Sequence, residues 1–275
     1  MITASIVLYN TDLKELEIAI KSFSPSTSRL LYLIDNSEKP LDIELLMVDL
    51  QFITYIFNGK NIGYGAGHNI GIRKAIEKNS EYHLVMNSDL RFNSSIIDKI
   101  ANFMHADDQI GMIMPKILDS NGDICYLCKL IPTPFDLFFK RFLPFKQIKE
   151  KYLYKFQLMF TNYDKIMNVP YLSGCFMFLN VKALEEVGLF DERFFMYPED
   201  IDLTRRIHSK YKTLYYPKVS IVHFYEGASY KSFKMLWIHI TNMIKYFNKC
   251  GWFFDKERKA INKKVLDNLD FKNKF

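Results

Sequence analysis

Long apolar runs are missing from this 275-residue sequence: none reaches the roughly 18 residues that a membrane-crossing helix needs. The opening stretch, MITASIVLYN, has no basic leader and no extended apolar core. It reads as a first strand, not a signal peptide, and points to a cytoplasmic protein. Cysteine is scarce as well. Cys125, Cys128, Cys175 and Cys250 are too few and too scattered for a disulfide scaffold. Cys125 and Cys128 form one C-x-x-C, but structural zinc takes four ligands and no second such pair exists, so ordinary packing is the better account. There is no G-x-S-x-G of a serine hydrolase, no Walker phosphate loop, and no RNP, zinc-finger or helix-turn-helix signature.

What is present is globular: 49% apolar and 25% charged residues, which excludes wholesale disorder. The net charge of +6 is unevenly spread. Residues 129–160 carry +5 and residues 231–275 carry +7, which leaves −6 on the rest. Both basic segments are rich in aromatics, with Phe138, Phe139, Phe142 and Phe145 among Lys140, Arg141 and Lys146 in the first, and Trp237, Tyr246, Trp252 and Phe253 in the second. Such segments are either core-facing helices with solvated lysines or a surface that meets anionic lipid. A nucleic-acid partner would explain the charge, but not the acidic body.

Short apolar runs alternate with amphipathic stretches. Strands are expected at 5–9, 30–34, 52–57 and 82–86, a helix capped by Thr11 or Asp12 after the first, and a late strand at 213–222 that leads to His223. Asn180 suits a helix N-cap, Gly188 that helix's stop, and Pro198 the first turn of another. Alternation of this kind implies βαβ units and a mostly parallel sheet, whose ligands bind beyond the carboxyl ends of the strands. Asn10, Asp35, the glycine-rich stretch 61–71 and the triplet Asn87, Ser88, Asp89 all fall at such ends. No repeat or low-complexity linker divides the chain, so one composite unit is expected.

The stretch NIGYGAGHNIG (61–71) holds four of the 11 glycines, and a loop that lets backbone approach a ligand is expected there. It is not a dinucleotide fingerprint: opened at Gly63 and Gly65, the pattern needs a third glycine where His68 stands. Asp89, just past a strand, is either a turn residue or a divalent-metal ligand that offsets diphosphate charge. In FDERFFMYPEDIDLTRR (190–206), acids early in a helix and arginines later complement the helix dipole. The aromatic run Phe194, Phe195, Tyr197 is left over by that account, and a carboxylate against aromatic walls can be poised as a general base. A lone His223 is ordinarily structural, but a neutral imidazole there would suit a metal held by Asp89.

These pieces, in this order, resemble family 2 glycosyltransferases of the GT-A fold, and among them the bacterial rhamnosyltransferase-type enzymes of O-antigen and capsule assembly. The matching stretches are SIVLYN (5–10), IDNS (34–37), NIGYGAGHNIG (61–71), LVMNSD (84–89), SGCFMFLN (173–180) and FDERFFMYPEDIDLTRR (190–206). The resemblance implies an α/β fold with a Rossmann-like, mostly parallel sheet over residues 1–230, an insertion at about 129–160, and a helical, membrane-associating segment at 231–275. It implies that Tyr9, Asn10 and Asp35 hold the base and ribose, and that Asn61, Gly63, Tyr64, Gly67 and Asn69 line the donor pocket. Asn87, Ser88 and Asp89 stand at the family's D-x-D position, with Asn where the first Asp often stands, so Asp89 carries the metal, Mg²⁺ or Mn²⁺, completed by His223. Glu199 and Asp200 match an E-D pair in which Asp is the base. The implied reaction is inverting transfer from a nucleotide-sugar, dTDP-rhamnose first, to a polyprenyl-diphosphate-linked saccharide at the inner face of the cell membrane. A UDP-hexose or UDP-N-acetylhexosamine donor, and a catalytically silent relative, are the alternatives.

Overall fold

The computed structural model describes residues 1–136, 146–224 and 233–271. The aromatic-basic cluster from Phe138 to Phe145 lies outside the described residues.

Strand β1 (Ile2–Leu8) is the centre of the first half. It pairs in parallel with β2 (Arg29–Asp35) on one side and β4 (Tyr82–Met86) on the other, and β2 pairs in parallel with β3 (Ile53–Phe57). The crossovers are α1 (Leu13–Phe23) and α2 (Tyr64–Glu77). Asp12 caps α1 by accepting the Lys14 and Glu15 amides at 2.8 and 3.2 Å, the cap expected from sequence. Strand β4 is buried along its whole length, as the apolar run YHLVM requires in a sheet covered on both faces.

The second half joins this parallel block through one reversed strand. Strand β10 (Phe176–Asn180) runs antiparallel between β4 and β6 (Ile110–Leu118), and β11 (Lys212–His223) lies parallel to β6. The short β5 (Leu90–Arg91) and β8 (Met167–Asn168) flank β11, which completes a nine-stranded sheet with the main order β3-β2-β1-β4-β10-β6-β11-β5. A second, two-stranded sheet joins β7 (Cys128–Lys129) to β9 (Tyr171–Leu172). Helix α3 (Ser95–His105) precedes β6, and α4 (Lys146–Phe156) follows β7. Helix α5 (Val181–Val187) starts on an Asn180 cap and stops at Gly188, as expected. Helix α6 (Glu199–His208) starts directly after Pro198.

The C-terminal helices α7 (Phe233–Cys250) and α8 (Lys256–Asn268) are docked on this body. Met243, Tyr246 and Phe247 of α7 bury themselves with Phe194 and Ile201 in a second apolar cluster, while Val265 and Leu269 join the main core. Charge reinforces the docking. Arg205, buried on α6, pairs with buried Asp255 at 2.6 Å and with Glu257, and Lys249 bridges Asp191 and buried Asp202 at 2.8 and 2.5 Å. The acids and arginines of 199–206 therefore do more than complement a helix dipole. The aromatic run is also reassigned: Phe194 packs against α7, not around the Asp200 carboxylate. Cys128 is buried within the core cluster, the packing role expected of it.

Candidate active site

Two antiparallel pairings and one helix bring the polar strand ends together. The antiparallel pairing of β10 with β4 sets Phe176 opposite Met86, so the turn Ser173, Gly174, Cys175 lies beside Asn87, Ser88 and Asp89. The Asn87 amide donates to the Cys175 carbonyl at 3.0 Å, which fixes that register. The pairing of β5 with β11 sets His223 opposite Leu90, which carries Asp89 to the end of β11. Helix α6 then brings Asp200 to the 173–175 turn, where its Oδ2 accepts the Gly174 amide at 3.0 Å.

Tyr64, the first residue of α2, ties the groups together. Its hydroxyl is shared between the Asn87 side-chain oxygen at 2.9 Å and the Gly174 carbonyl at 2.8 Å. Burial pushes this hydroxyl well above its ordinary range, and Glu199, Asp200 and Asp89 add to the effect. Cys175 is pushed up to about 12 by burial first, with Asp89 and Asp200 contributing. The carboxylates of Asp89 and Asp200 thus act on the same small volume. The aromatic neighbour of Asp200 is Tyr64: a Cβ on Gly174 would lie 3.2 Å from the Asp200 Cβ and 3.5 Å from the Tyr64 ring.

Asp200 and Glu199 differ although they are adjacent. Glu199 is 4% exposed, and its Oε2 has no hydrogen-bond partner among the described residues. Burial first, and then the neighbouring Asp200 charge, push it well above the carboxylate range. Burial also raises Asp200, to about 6, but the Gly174 amide and the Lys129 ammonium hold it down. Lys129 reaches this position from β7 and lies 5.0 Å above the Tyr171 ring of the paired strand. The backbone before the pair is strained: Tyr197 sits at φ 91°, rare for a bulky residue.

Asp89 and His223 face each other, with Oδ1 3.1 Å from Nε2. Asp89 Oδ1 is buried and makes no hydrogen bond among the described residues. One carboxylate and one imidazole fit a divalent cation whose remaining positions are filled by phosphate oxygens and water. No group of three or more histidine, cysteine or acidic side chains is placed to hold a metal ion among the described residues. The donor set thus suits a cation that arrives with a diphosphate, not a closed structural site.

The remaining expected residues divide. Tyr9 is 50% exposed at the end of β1, next to Asn10 in the left-handed conformation at φ 50°. Asn10 is held by its amide, which donates to the Ser37 hydroxyl at 2.9 Å. Asp35 is fully buried. Its two oxygens accept the Ser37 amide, the Leu41 amide and the Tyr55 hydroxyl, and Ser37 in turn holds Asn10. Asn61 caps the turn by accepting the Gly63 amide at 3.0 Å. Gly63 has φ 97°, and any Cβ there would lie 2.6 Å from the Phe195 carbonyl, so only glycine fits.

Two of the expected pocket residues are corrected. The stretch 61–71 is not a loop, because α2 already begins at Tyr64. Gly67 faces the sheet, where a Cβ would meet Val7 at 2.7 Å. Asn69 is buried, with its amide spent on the Phe190 backbone and on Glu192. These residues let the helix approach β1 and anchor the 190–192 segment. Both are buried against the sheet and the 190–192 segment. Sequence reasoning missed Lys129, because its approach to Asp200 depends on the β7–β9 pairing across 42 positions of sequence.

The class follows from this arrangement. A parallel first half joined through one reversed strand to the second, with Asp89 and His223 at the seam, is the architecture of the GT-A glycosyltransferase fold. Solved structures share it. The chain matches GalNAc-T7 with UDP, GalNAc and Mn²⁺ at a TM-score of 0.61 and 14% identity, over 98% of this chain and 58% of that one. It matches residues 1–349 of S. aureus TarS at 0.56 and 12%, over 98% and 72%.

The relatives by sequence are glycosyltransferases too. The chain is 31% identical over 157 residues to the low-salt glycan biosynthesis hexosyltransferase Agl10 of Haloferax volcanii, which covers 56% of this chain and 46% of that protein. It is 25% identical over 178 residues to the N-acetylglucosaminyl-diphospho-decaprenol L-rhamnosyltransferase of Mycobacterium tuberculosis, 60% of this chain and 56% of that one. It is 29% identical over 103 residues to the dTDP-rhamnosyl transferase RfbF of Shigella flexneri, 38% and 34%. The chain spans about half or less of the length of these relatives. No family model matches it.

Proposed function

We propose that this chain transfers a sugar from a nucleotide-diphosphate donor to a hydroxyl of a lipid-linked saccharide, by inverting displacement with Asp200 as general base. The observation that carries the reading is Asp200 itself, tied by the Gly174 amide to the turn that lies beside Asn87, Ser88 and Asp89. With its carboxyl at about 6, Asp200 is ionised at neutral pH yet basic enough to take the acceptor proton. Burial pushes the adjacent Glu199 upward, which disfavours a second charge beside the base.

Tyr9 and Asn10 form the nucleoside rim, and Asn61, Gly63, Tyr64, Asn87 and Ser88 the wall toward the sugar. Asp89 and His223 would hold Mg²⁺ or Mn²⁺, which when bound stabilises the departing diphosphate. Residues 1–230 form the catalytic body, and 231–275 the segment that brings it to the acceptor. The names of two relatives favour rhamnose from dTDP-rhamnose, and that of the M. tuberculosis relative an acceptor on a polyprenyl diphosphate. The Haloferax hexosyltransferase keeps a hexose donor as the second reading. No described helix is long and apolar enough to cross a membrane. The exposed aromatics and lysines of 231–275 favour contact with such an acceptor at the inner leaflet.

Asp200→Asn tests the reading. Transfer should fall by roughly a hundredfold to ten-thousandfold, with donor affinity unchanged, because the amide keeps the Gly174 contact and loses the base. In the unmodified protein, the turnover rate should climb with pH through about 6 and then level off. Substantial residual transfer by the variant would move the base elsewhere.

A further inference from the structure

The turn between α7 and α8 presents two adjacent phenylalanines to solvent, Phe253 at 76% and Phe254 at 97% exposure. Single apolar side chains are common on protein surfaces, but neighbouring aromatics this exposed are not. The turn is also braced from both sides. Trp252 packs 5.3 Å from Phe247, and its indole N–H donates to Asn248 at 2.8 Å. Arg258 donates to the Trp252 carbonyl at 2.9 Å. Asp255 caps α8 through the Arg258 amide at 2.9 Å while held by Arg205. Buried charges therefore fix a turn whose tip is apolar.

Charge continues from the tip. Lys256, Lys259 and Lys263 are exposed on α8 at spacings of three and four, one face of the helix over about 10 Å. The opposite face buries Arg258, Val265 and Leu269. On α7, Trp237 (62% exposed) and Ile244 (38%) recur at a spacing of seven and so share a face.

We propose that the 251–255 turn is a wedge that inserts Phe253 and Phe254 into the interface of an anionic membrane, with the α8 lysine stripe on the lipid phosphates. Aromatics at the headgroup level and lysines on the phosphates are the side chains such an interface selects. A second copy of the chain fits worse. Two phenylalanines fall far short of the roughly 800 Å² per partner of a stable interface, and a two-fold contact would set the lysine stripe near its own copy. The inference rests on the proposed function only in placing the acceptor at a lipid surface, and the wedge is testable without a sugar donor.

The test is co-sedimentation of the full chain with vesicles of phosphatidylethanolamine and phosphatidylglycerol, with pure phosphatidylcholine as the neutral comparison. The full chain should bind the anionic vesicles, and added salt should release it. F253S/F254S should weaken binding by roughly tenfold to hundredfold, the worth of one to two phenylalanines withdrawn from water. K256E/K259E/K263E should weaken it too and abolish the salt dependence. In a Trp237→Phe background, brominated lipid should quench Trp252, the remaining tryptophan. Transfer to a water-soluble saccharide should be unaffected by F253S/F254S, which shows that the variant is folded. Anionic-vesicle binding that is absent, or equal in F253S/F254S, overturns the wedge, as does a dimer of the full chain that F253S/F254S dissociates. Absence of transfer by the unmodified protein with any donor would instead sink the proposed function and leave the vesicle result standing.

Discussion

Asp200 and Glu199 show how two neighbouring carboxyls acquire different states from their surroundings. Asp200 accepts an amide and feels the Lys129 charge, whereas Glu199 has burial and a negative neighbour. Their chemistry was legible in the sequence as an acidic pair at a helix start, and so were Asp89 and His223 as polar residues at strand ends. Lys129 was not, because nothing near position 129 announces Tyr171 or Asp200. The same holds for a buried chain beneath α2, in which Thr3 bonds His83 at 2.8 Å, His83 bonds Ser5 at 2.8 Å, and Ser5 bonds His68 at 2.7 Å. Burial drives His83 down to about 3. Below about pH 6.5 the unfolded chain takes up a proton that folded His83 refuses, so stability must fall as the pH falls toward 3. His83→Gln should remove this contribution. Urea titrations at pH 7 and pH 5 should show the stability lost between them reduced by about 2 kcal/mol in the variant. An equal loss in both proteins would mean that His83 is protonated in the fold.

Helix α2 shows where a pattern was seen and its meaning displaced. Four glycines in 61–71 suggested a ligand loop, yet three of them, Gly65, Gly67 and Gly71, lie inside a helix. A Cβ at these positions would meet Phe190 at 2.9 Å, Val7 at 2.7 Å and Ser5 at 2.6 Å. The glycines thus let the helix sit close on β1 and the 190 segment, a need set by partners far away in sequence. Gly67→Ala should destabilise the protein by about 1 to 2 kcal/mol, overpacking against Val7 outweighing the gain in helix propensity. A thermal melt unchanged or raised would show that β1 yields at little cost. The strands at 30–34 and 82–86 were legible because their apolar runs report burial directly, whereas the run at 52–57 forms the edge strand β3 and is only partly buried. Strand β6 was not, since Pro115 lies within it. The fold tolerates that proline because β10 pairs with β6 only at Met112 and Ile113, short of the proline.

At the scale of the molecule, the basic C-terminal segment divides into packed and exposed residues. Tyr246, Phe247, Val265 and the Arg205–Asp255 pair are packed, whereas Trp237, Phe253, Phe254 and the α8 lysines are exposed. Composition alone held both the packed and the membrane-facing reading of 231–275, because it cannot tell which side of a helix an aromatic occupies. The sheet order explains why the polar clusters meet: β4, β10, β5 and β11 all terminate or start where Asp89, Gly174 and His223 lie. The central claim is that this convergence binds a nucleoside diphosphate together with a divalent cation. Thermal-shift titration with dTDP, UDP and GDP, each with and without Mn²⁺, tests it most directly, since a ligand that binds only the folded state raises the melting midpoint by mass action. The account predicts a Mn²⁺-dependent rise with at least one of the diphosphates, dTDP first, that Asp89→Ala removes without lowering the melting midpoint of the free protein. No rise with any nucleotide, or a rise indifferent to both Mn²⁺ and Asp89→Ala, would contradict it.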